Sequence, residues 1–159
     1  MSTQEQSGAQ GGVKEATVDM KLEVHLIPVA DVDRALGFYQ NLGWRLDADF
    51  EAGPEFRIAQ LTPPGSACSI IFGRGVISAA PGSAEGYLVV FDLDKARADL
   101  VSRGVEVSEI FHKAYDTGAE AKVDGRDPDG RSYASYASFS DPDGNGWLLQ
   151  EVQERLPGR

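Results

Sequence analysis

The sequence predicts an α+β protein of two tandem β-α-β-β-β modules, which form a cupped, mostly antiparallel sheet with the helices outside. A repeated turn is the first reason. Placing Gly144 on Gly65 aligns FSDPDGNGWLLQ with QLTPPGSACSII, so turn lies on turn and apolar strand on apolar strand at an offset of 79 residues. The second reason is that DVDRA, followed by Gly43, aligns with DLDKA, followed by Gly104, at an offset of 61. Repeats of this length indicate duplicated supersecondary modules.

The two offsets differ by 18 residues, which predicts an insertion of that size in the second module. Residues 113–130, KAYDTGAEAKVDGRDPDG, are polar and rich in Gly and Asp. Long loops in compact domains are commonly functional covers. We therefore expect this segment to be a mobile lid.

The first module is predicted over residues 19–75, after a mobile tail at 1–18 that is rich in Ser, Gln, Gly and Glu. Its helix begins at Asp31, a good N-cap residue, and ends before Gly43. The apolar positions of that helix recur at a helical period. The predicted strands are 21–29, 44–49, 56–61 and 67–73, where apolar residues dominate or alternate with polar ones.

The second module is predicted over residues 86–153, after a linker at 76–85 that carries the turn residues Pro81 and Gly82. Its helix covers 95–103 and ends at Gly104. The predicted strands of this module are 87–91, 105–111, 132–140 and 147–152. Residues 154–159 form a short polar tail.

Composition excludes several classes of partner. The chain has 159 residues, of which 42% are hydrophobic, and a formal net charge of −10. An acidic protein lacks the basic face that nucleic acids and anionic membranes require. No apolar run is long enough to span a bilayer, and the N-terminus lacks the pattern of a signal peptide, so we expect a cytoplasmic protein. The single cysteine, Cys68, excludes an intrachain disulfide and is expected to be a buried strand thiol.

Two motifs carry a family resemblance. A strand running into PVADVDRALGFYQNLGW and a terminal SFSDPDGNGWLLQEV, in one repeat scheme, resemble the vicinal oxygen chelate superfamily, which includes glyoxalases, bleomycin resistance proteins and extradiol dioxygenases. The resemblance covers residues 21–152. It implies paired modules around one pocket, in which enzymatic members hold a divalent metal with one side chain from the first and last strand of each module. It also implies a homodimer.

The resemblance places the metal-ligand positions at residues that are poor ligands. They are Val24, Ser69, Leu148 and one residue of the range 85–87. Hydrocarbon side chains do not hold a divalent cation, so we expect no metal cofactor. If a metal is present, His25 and Glu85 are the first candidates, although His25 is one residue out of register on its strand.

Aromatic residues are expected beside this pocket. Tyr87, Tyr133 and Tyr136 would stack a planar ligand, and Arg57, taken as the first-module counterpart of Tyr136, would meet an anionic or carbonyl oxygen. The alternative is that these residues only suit a strand and that Arg57 is exposed. His112, at the base of the insertion, is either a proton shuttle that works with Tyr136 or an exposed loop histidine.

Three functions are consistent with these features. The first is binding or sequestering of a small aromatic or cationic organic molecule without metal, because the pocket positions are apolar and the charge is acidic. The alternative is a glyoxalase-like lyase, isomerase or dioxygenase that uses a displaced metal or His112 and Tyr136 as acid and base. The third is an interaction subunit without pocket chemistry.

Overall fold

The computed structural model describes residues 12–114 and 121–158. Within these residues the chain forms two helices and nine strands, arranged in two mixed sheets. The predicted α+β architecture of two modules is confirmed. Of the predicted N-terminal tail, residues 1–11 lie outside the described residues, and residues 12–18 form neither helix nor strand.

The first module contains one helix and a four-stranded sheet, called the first sheet. Its elements are β1 (Val24–Leu26), α1 (Val32–Asn41), β2 (Arg45–Glu51), β3 (Arg57–Thr62) and β4 (Ser69–Arg74). The strand order is β1-β4-β3-β2, in which β1 runs parallel to β4 and the other pairs are antiparallel.

The second module repeats this order and adds one strand, giving the five-stranded second sheet. Its elements are β5 (Glu85–Val90), α2 (Leu93–Ser102), β6 (Phe111–Ala114), β7 (Ala121–Asp124), β8 (Ser135–Ser140) and β9 (Gly146–Glu151). The strand order is β5-β9-β8-β6-β7, with β5 parallel to β9.

The first helix begins after Asp31 as the sequence predicts, and the second begins at Leu93, two residues earlier than predicted, after the cap residue Asp92. The Asp31 carboxylate accepts a hydrogen bond from the Arg34 amide at 3.0 Å, and the Asp92 carboxylate accepts one from the Lys95 amide at 3.0 Å. Each satisfies a backbone donor that has no partner inside the helix. After α1, Gly43 has a φ of 84°, which a residue without a side chain adopts at little cost.

The structure corrects two predictions in the second module. Residues 105–110 are not a strand, since β6 begins only at Phe111. Part of the insertion, predicted to be a loop, is the strand β7, which pairs antiparallel with β6. This pairing satisfies backbone groups that β6 would otherwise leave open at the sheet edge. Residues 115–120 of the insertion lie outside the described residues.

One core joins the two modules. The ring of Tyr39 on α1 lies 5.8 Å from Phe72 of the first sheet and 6.4 Å from Trp147 of the second. Gly86 makes room for Trp147, because a Cβ at Gly86 would lie 2.6 Å from its ring. We call the side of each sheet that packs into this core its helix face. The opposite side is its open face.

Hydrogen bonds fix the two modules to each other at the predicted DPDGNG turn. The Tyr39 hydroxyl donates to Asp141 at 2.8 Å and accepts from the Trp147 indole at 2.9 Å. The Asn145 amide donates to the Pro28 carbonyl at 2.8 Å. Burial, and then the charge of Asp141, raise the pKa of the Tyr39 phenol, so this hydroxyl keeps its proton and remains a donor.

Candidate functional site

The open face of the second sheet carries a cluster of aromatic side chains. The Tyr136 ring lies 6.3 Å from Tyr87 on β5 and 5.7 Å from Phe111 on β6. The Nζ atom of Lys113 lies 4.7 Å from the centre of the Tyr136 ring. Leu148 is paired with Tyr87 and continues this face. The Nζ atom of Lys122 lies 4.2 Å from the centre of the Phe111 ring. Two cations therefore lie against the cluster, and of its three rings Tyr87 is the exposed one.

The open face of the first sheet is mainly aliphatic along β1 and β4. Val24 pairs with Ser69, and Leu26 pairs with Ile71, so all four side chains lie on one face. The Ser69 hydroxyl is the polar group among them, and its residue is buried.

Two cavities reach these faces. One, of about 270 Å³, is lined by Val24 and Ser69 of the first sheet and by Glu85 and Tyr87 of the second. The other, of about 430 Å³, lies on the second sheet and is lined by Tyr87, Lys113 and Leu148, among others. Both are of a size that suits small organic molecules or parts of them.

Four predicted pocket residues lie on the open faces. They are Val24, Ser69, Tyr87 and Leu148. Tyr87 stands opposite Leu148 as Val24 stands opposite Ser69, so the fourth ligand position implied by the resemblance corresponds to Tyr87. Their contact with a ligand stays a prediction.

Arg57 lies on the helix face and does not line the open face. Its guanidinium contacts Asp33 of α1 at 2.8 Å and Asp49 of β2 at 3.0 Å. Hydrogen bonds to Asp49 and then to Asp33 raise the pKa of this already basic group further. With its donors directed at these two carboxylates, Arg57 does not meet a ligand oxygen on the open face.

The lengths of the two hairpins explain this correction. Eight residues separate the paired Leu61 and Ile70, whereas five separate the paired Ser140 and Gly146. The two hairpins therefore differ by three residues, which shifts the alignment of β8 with β3 by three. Because side chains alternate between the faces of a strand, an odd shift moves the residue first matched to Arg57 onto the opposite face. The counterpart of Arg57 is therefore Tyr133.

Tyr133 lies before β8 rather than on it. Its φ is 70°, and its hydroxyl accepts a hydrogen bond from the Leu156 amide at 3.3 Å, so the side chain reaches the C-terminal tail. Its carbonyl accepts from the Tyr136 hydroxyl at 2.8 Å. Tyr133 therefore supports the aromatic cluster through its backbone.

The structure separates His112 from Tyr136. His112 pairs with Ser135, the residue next to Tyr136, so the two side chains point to opposite faces. The Nδ1 atom of His112 lies 2.8 Å from the Gly125 carbonyl, on the helix face. The proposed acid and base do not come together.

Residues 125–131 also lie against the helix face. Arg126 forms ion pairs with Glu151 of β9 and Asp94 of α2. Asp127 is buried and pairs with Arg131 at 2.7 Å. Arg131 donates to the Asp127 carboxylate and lowers its pKa. This part of the predicted lid does not cover the open face.

Sequence reasoning missed Asp47 and Thr62, which lie beside Ser69 on the first sheet. Leu46 pairs with Leu61 and Ala48 with Gln60, so Asp47 is the extra residue of a β-bulge. A bulge redirects a side chain without leaving a pattern in the sequence. Lys113 was missed because it was assigned to the insertion instead of β6.

Comparison with known proteins identifies the family. The model of the Glyoxalase/Bleomycin resistance protein/Dioxygenase superfamily matches residues 21–149, which is most of the chain. The chain belongs to this superfamily. A search of curated proteins found no match. No helix in the described part of the chain is long and apolar enough to cross a membrane.

Solved structures of superfamily proteins are similar over nearly the whole chain. TnmS3, an antibiotic binding protein from Streptomyces sp. CB03234, is 28% identical with a TM-score of 0.63, over 87% of this chain and 99% of that one. A glyoxalase/bleomycin resistance protein from the same organism is 29% identical with a TM-score of 0.60, over 82% and 100%. A superfamily member from Sphaerobacter thermophilus DSM 20745 is 26% identical with a TM-score of 0.58, over 84% and 98%.

The residues at the metal positions that the resemblance implies do not fit a divalent cation. Val24 and Leu148 offer hydrocarbon, and Ser69 and Tyr87 offer neutral hydroxyls, whereas such cations prefer carboxylate and imidazole ligands. Among residues 12–114 and 121–158, no three His, Cys, Asp or Glu side chains form a group that could hold a metal. His25 lines the smaller cavity with Glu85, but it lies on the opposite face of β1 from Val24.

Proposed function

We propose that this protein binds a flat aromatic or cationic organic molecule, without the superfamily's usual metal. The molecule lies between the open face of a first sheet and the open face of a second sheet. It sequesters the molecule rather than converting it. The observation that carries the proposal is that the metal positions implied by the resemblance hold residues that are poor metal ligands and that lie on open faces beside aromatic rings. These residues are Val24, Ser69, Tyr87 and Leu148. The name of TnmS3, an antibiotic binding protein, supports an organic ligand.

The chemistry of the second sheet favours a planar ligand. Tyr87 is 55% exposed, so a ligand ring can lie against it and bury apolar surface that now faces solvent. The aliphatic open face of the first sheet supplies a second apolar surface. The net charge of −10 attracts cationic compounds over a distance.

Each open face is half of a cup. The helix faces meet in one core, so the open faces of a single chain lie outside it, and residues of both come together at the 270 Å³ cavity. A second copy of the chain would place its second sheet over the first sheet of its partner. Because each chain supplies both faces, two copies close two equivalent cups, as a symmetric homodimer requires.

Metal content is the first experiment. Protein purified without chelators, and then reconstituted with Zn²⁺, Ni²⁺, Mn²⁺ or Fe²⁺, is expected to retain much less than one metal ion per chain in elemental analysis. One tightly held ion per chain would contradict the proposal. His25 and Glu85 would then be the first residues to replace.

Ligand binding is tested by thermal shift with a panel of planar aromatic compounds, both neutral and cationic. A binder raises the unfolding temperature, because it stabilises only the folded state. Leu148→Glu places a charge on the aromatic open face and is expected to weaken binding about tenfold or more. Leu156→Glu, on the exposed tail, is the matched control and should bind normally. No shift with any compound would contradict the proposed function.

A further inference from the structure

A hydrogen-bonded chain crosses the open face of the first sheet. It runs from Asp47 on β2 through Thr62 on β3 to Ser69 on β4. The bulge at Asp47 brings its carboxylate to the face on which Thr62 and Ser69 lie, and Thr62 and Ser69 are both buried. Three strands therefore hold a row of polar groups beside the aliphatic side chains of β1 and β4.

The carboxylate determines the direction of this chain. Hydrogen bonds from Arg45 and then Thr62 lower the pKa of Asp47, so the group is ionised and only accepts. Thr62 has a single hydroxyl proton and donates it to Asp47. The Ser69 oxygen lies 2.6 Å from the Thr62 oxygen, and because Thr62 has no second proton, Ser69 must donate here.

Ser69 is left with lone pairs only. Its one proton is directed to Thr62, so the side of its oxygen that faces the 270 Å³ cavity can accept a hydrogen bond but cannot donate one. Ser66, on the rim of the same cavity, also directs its proton inward, to the Cys68 carbonyl at 2.6 Å. Glu85 adds a carboxylate, which is again an acceptor. The donor groups of this cavity belong to Tyr87 on the second sheet and to His25 on the other side of β1, not to the neighbourhood of Ser69 on the open face.

We propose that the Ser69 hydroxyl oxygen accepts a hydrogen bond from the ligand. The cup therefore selects planar organic molecules that direct an O–H or N–H group at the first sheet. This inference rests on the proposed function and specifies its ligand class. Asp47 and Thr62 are positioning residues, since they fix the polarity of Ser69 without touching the ligand. A ligand with only an ether or carbonyl oxygen at this point would face two acceptors without a proton between them.

Two probes with the same ring test this selection. 2-Naphthol carries a hydroxyl proton, whereas 2-methoxynaphthalene carries only an acceptor oxygen. In NMR titrations the wild-type protein is expected to bind 2-naphthol about 3- to 10-fold more tightly, as one net hydrogen bond allows. Ser69→Ala is expected to bring the ratio close to one, because the acceptor is removed.

Thr62→Val gives the decisive comparison. Valine has nearly the shape of threonine but no hydroxyl, so Ser69 regains a free proton and can donate it to the methoxy oxygen. The preference for 2-naphthol is expected to disappear or reverse. Thr62→Ser keeps the hydroxyl and is the matched control, which should retain the wild-type ratio.

A second readout needs no ligand. A ¹³C NMR titration of the Asp47 carboxyl should show a low pKa in the wild type and in Thr62→Ser, and a higher pKa in Thr62→Val. An unchanged pKa in Thr62→Val would overturn the hydrogen-bonded chain.

The binding outcomes separate the two proposals. Equal binding of both probes by the wild type, or a preference that survives Thr62→Val, would overturn the selection by Ser69 and leave the proposed function standing. If neither probe binds and no compound of the thermal-shift panel raises the unfolding temperature, the proposed function is contradicted, and the selection by Ser69 with it.

Discussion

Tyr39 is the single residue on which the junction of the two modules most depends. Its hydroxyl satisfies both Asp141 and the Trp147 indole in a buried setting. Tyr39→Phe removes the hydroxyl and leaves a donor and an acceptor short of a partner. We expect the free energy of unfolding to fall by about 1–3 kcal/mol. Urea denaturation followed by tryptophan fluorescence measures this change.

The control for this measurement is Tyr87→Phe, which removes the same atom from an exposed ring. Its effect on stability should stay within about 0.5 kcal/mol. Equal losses in the two variants would show that the hydroxyl of Tyr39 contributes nothing particular to the junction.

The positions of some single residues could be predicted from the sequence, and those of others could not. Asp31 caps its helix as predicted, because a cap depends on local geometry that the sequence carries. Asp92, its counterpart in the repeat, caps the second helix in the same way. The face occupied by Arg57 could not be predicted, because it depends on hairpin lengths, and alternation turns any odd change into the opposite face. Asp47 was missed for a similar reason, since a bulge depends on strand pairing.

The β6–β7 hairpin and the turn after it are the element that the second module adds. Residues 125–131 are fixed to the helix face by the ion pair of Arg126 with Glu151 and by the Asp127 amide, which donates to the Ser135 hydroxyl at 2.9 Å. The predicted size of the insertion came from the repeat offsets. Its structure did not, because Gly and Asp suit a loop and a tight edge hairpin equally well.

This element should make the stability of the protein depend on acid. The pKa of Asp127 is lower in the folded protein than in the unfolded chain, where an aspartate has a pKa of about 3.9. Its stabilising contribution is therefore complete above that pH and is lost as the pH falls toward the folded value. The slope of the unfolding free energy against pH measures how many protons the protein takes up on unfolding. Between about pH 5 and pH 3 this number should be smaller in Asp127→Asn than in the wild type, by up to about one proton.

Arg131→Gln tests the cause of that dependence. Arg131 is the donor that lowers the pKa of Asp127, so its loss should flatten the acid side of the curve as Asp127→Asn does. Arg155→Gln, in the exposed tail, is the control. If all three variants keep the wild-type slope, Asp127 is not the group responsible.

At the scale of the whole molecule, the repeat predicted two modules but not how they meet. Each helix covers only part of its sheet, and the remaining apolar area of both helix faces is buried in one shared core. This packing leaves the two open faces outside the core.

A symmetric homodimer would close both faces. Size-exclusion chromatography with light scattering should give a mass of twice 17.1 kDa for the wild type. Val89 lies on the open face of the second sheet, where it pairs with Gln150, and is 42% exposed. Val89→Glu places a charge in the expected interface, where burial without a partner is costly, so the variant should be monomeric.

Val101→Glu is the matched control, because Val101 is 47% exposed but lies on α2, away from both open faces. This variant should remain dimeric. A monomeric wild type, or a Val89→Glu variant that keeps the wild-type mass, would exclude pairing through the open faces. If Val89→Glu is monomeric and also loses the aromatic ligands that Val101→Glu still binds, the cup requires residues from both copies, since neither open face alone encloses a ligand.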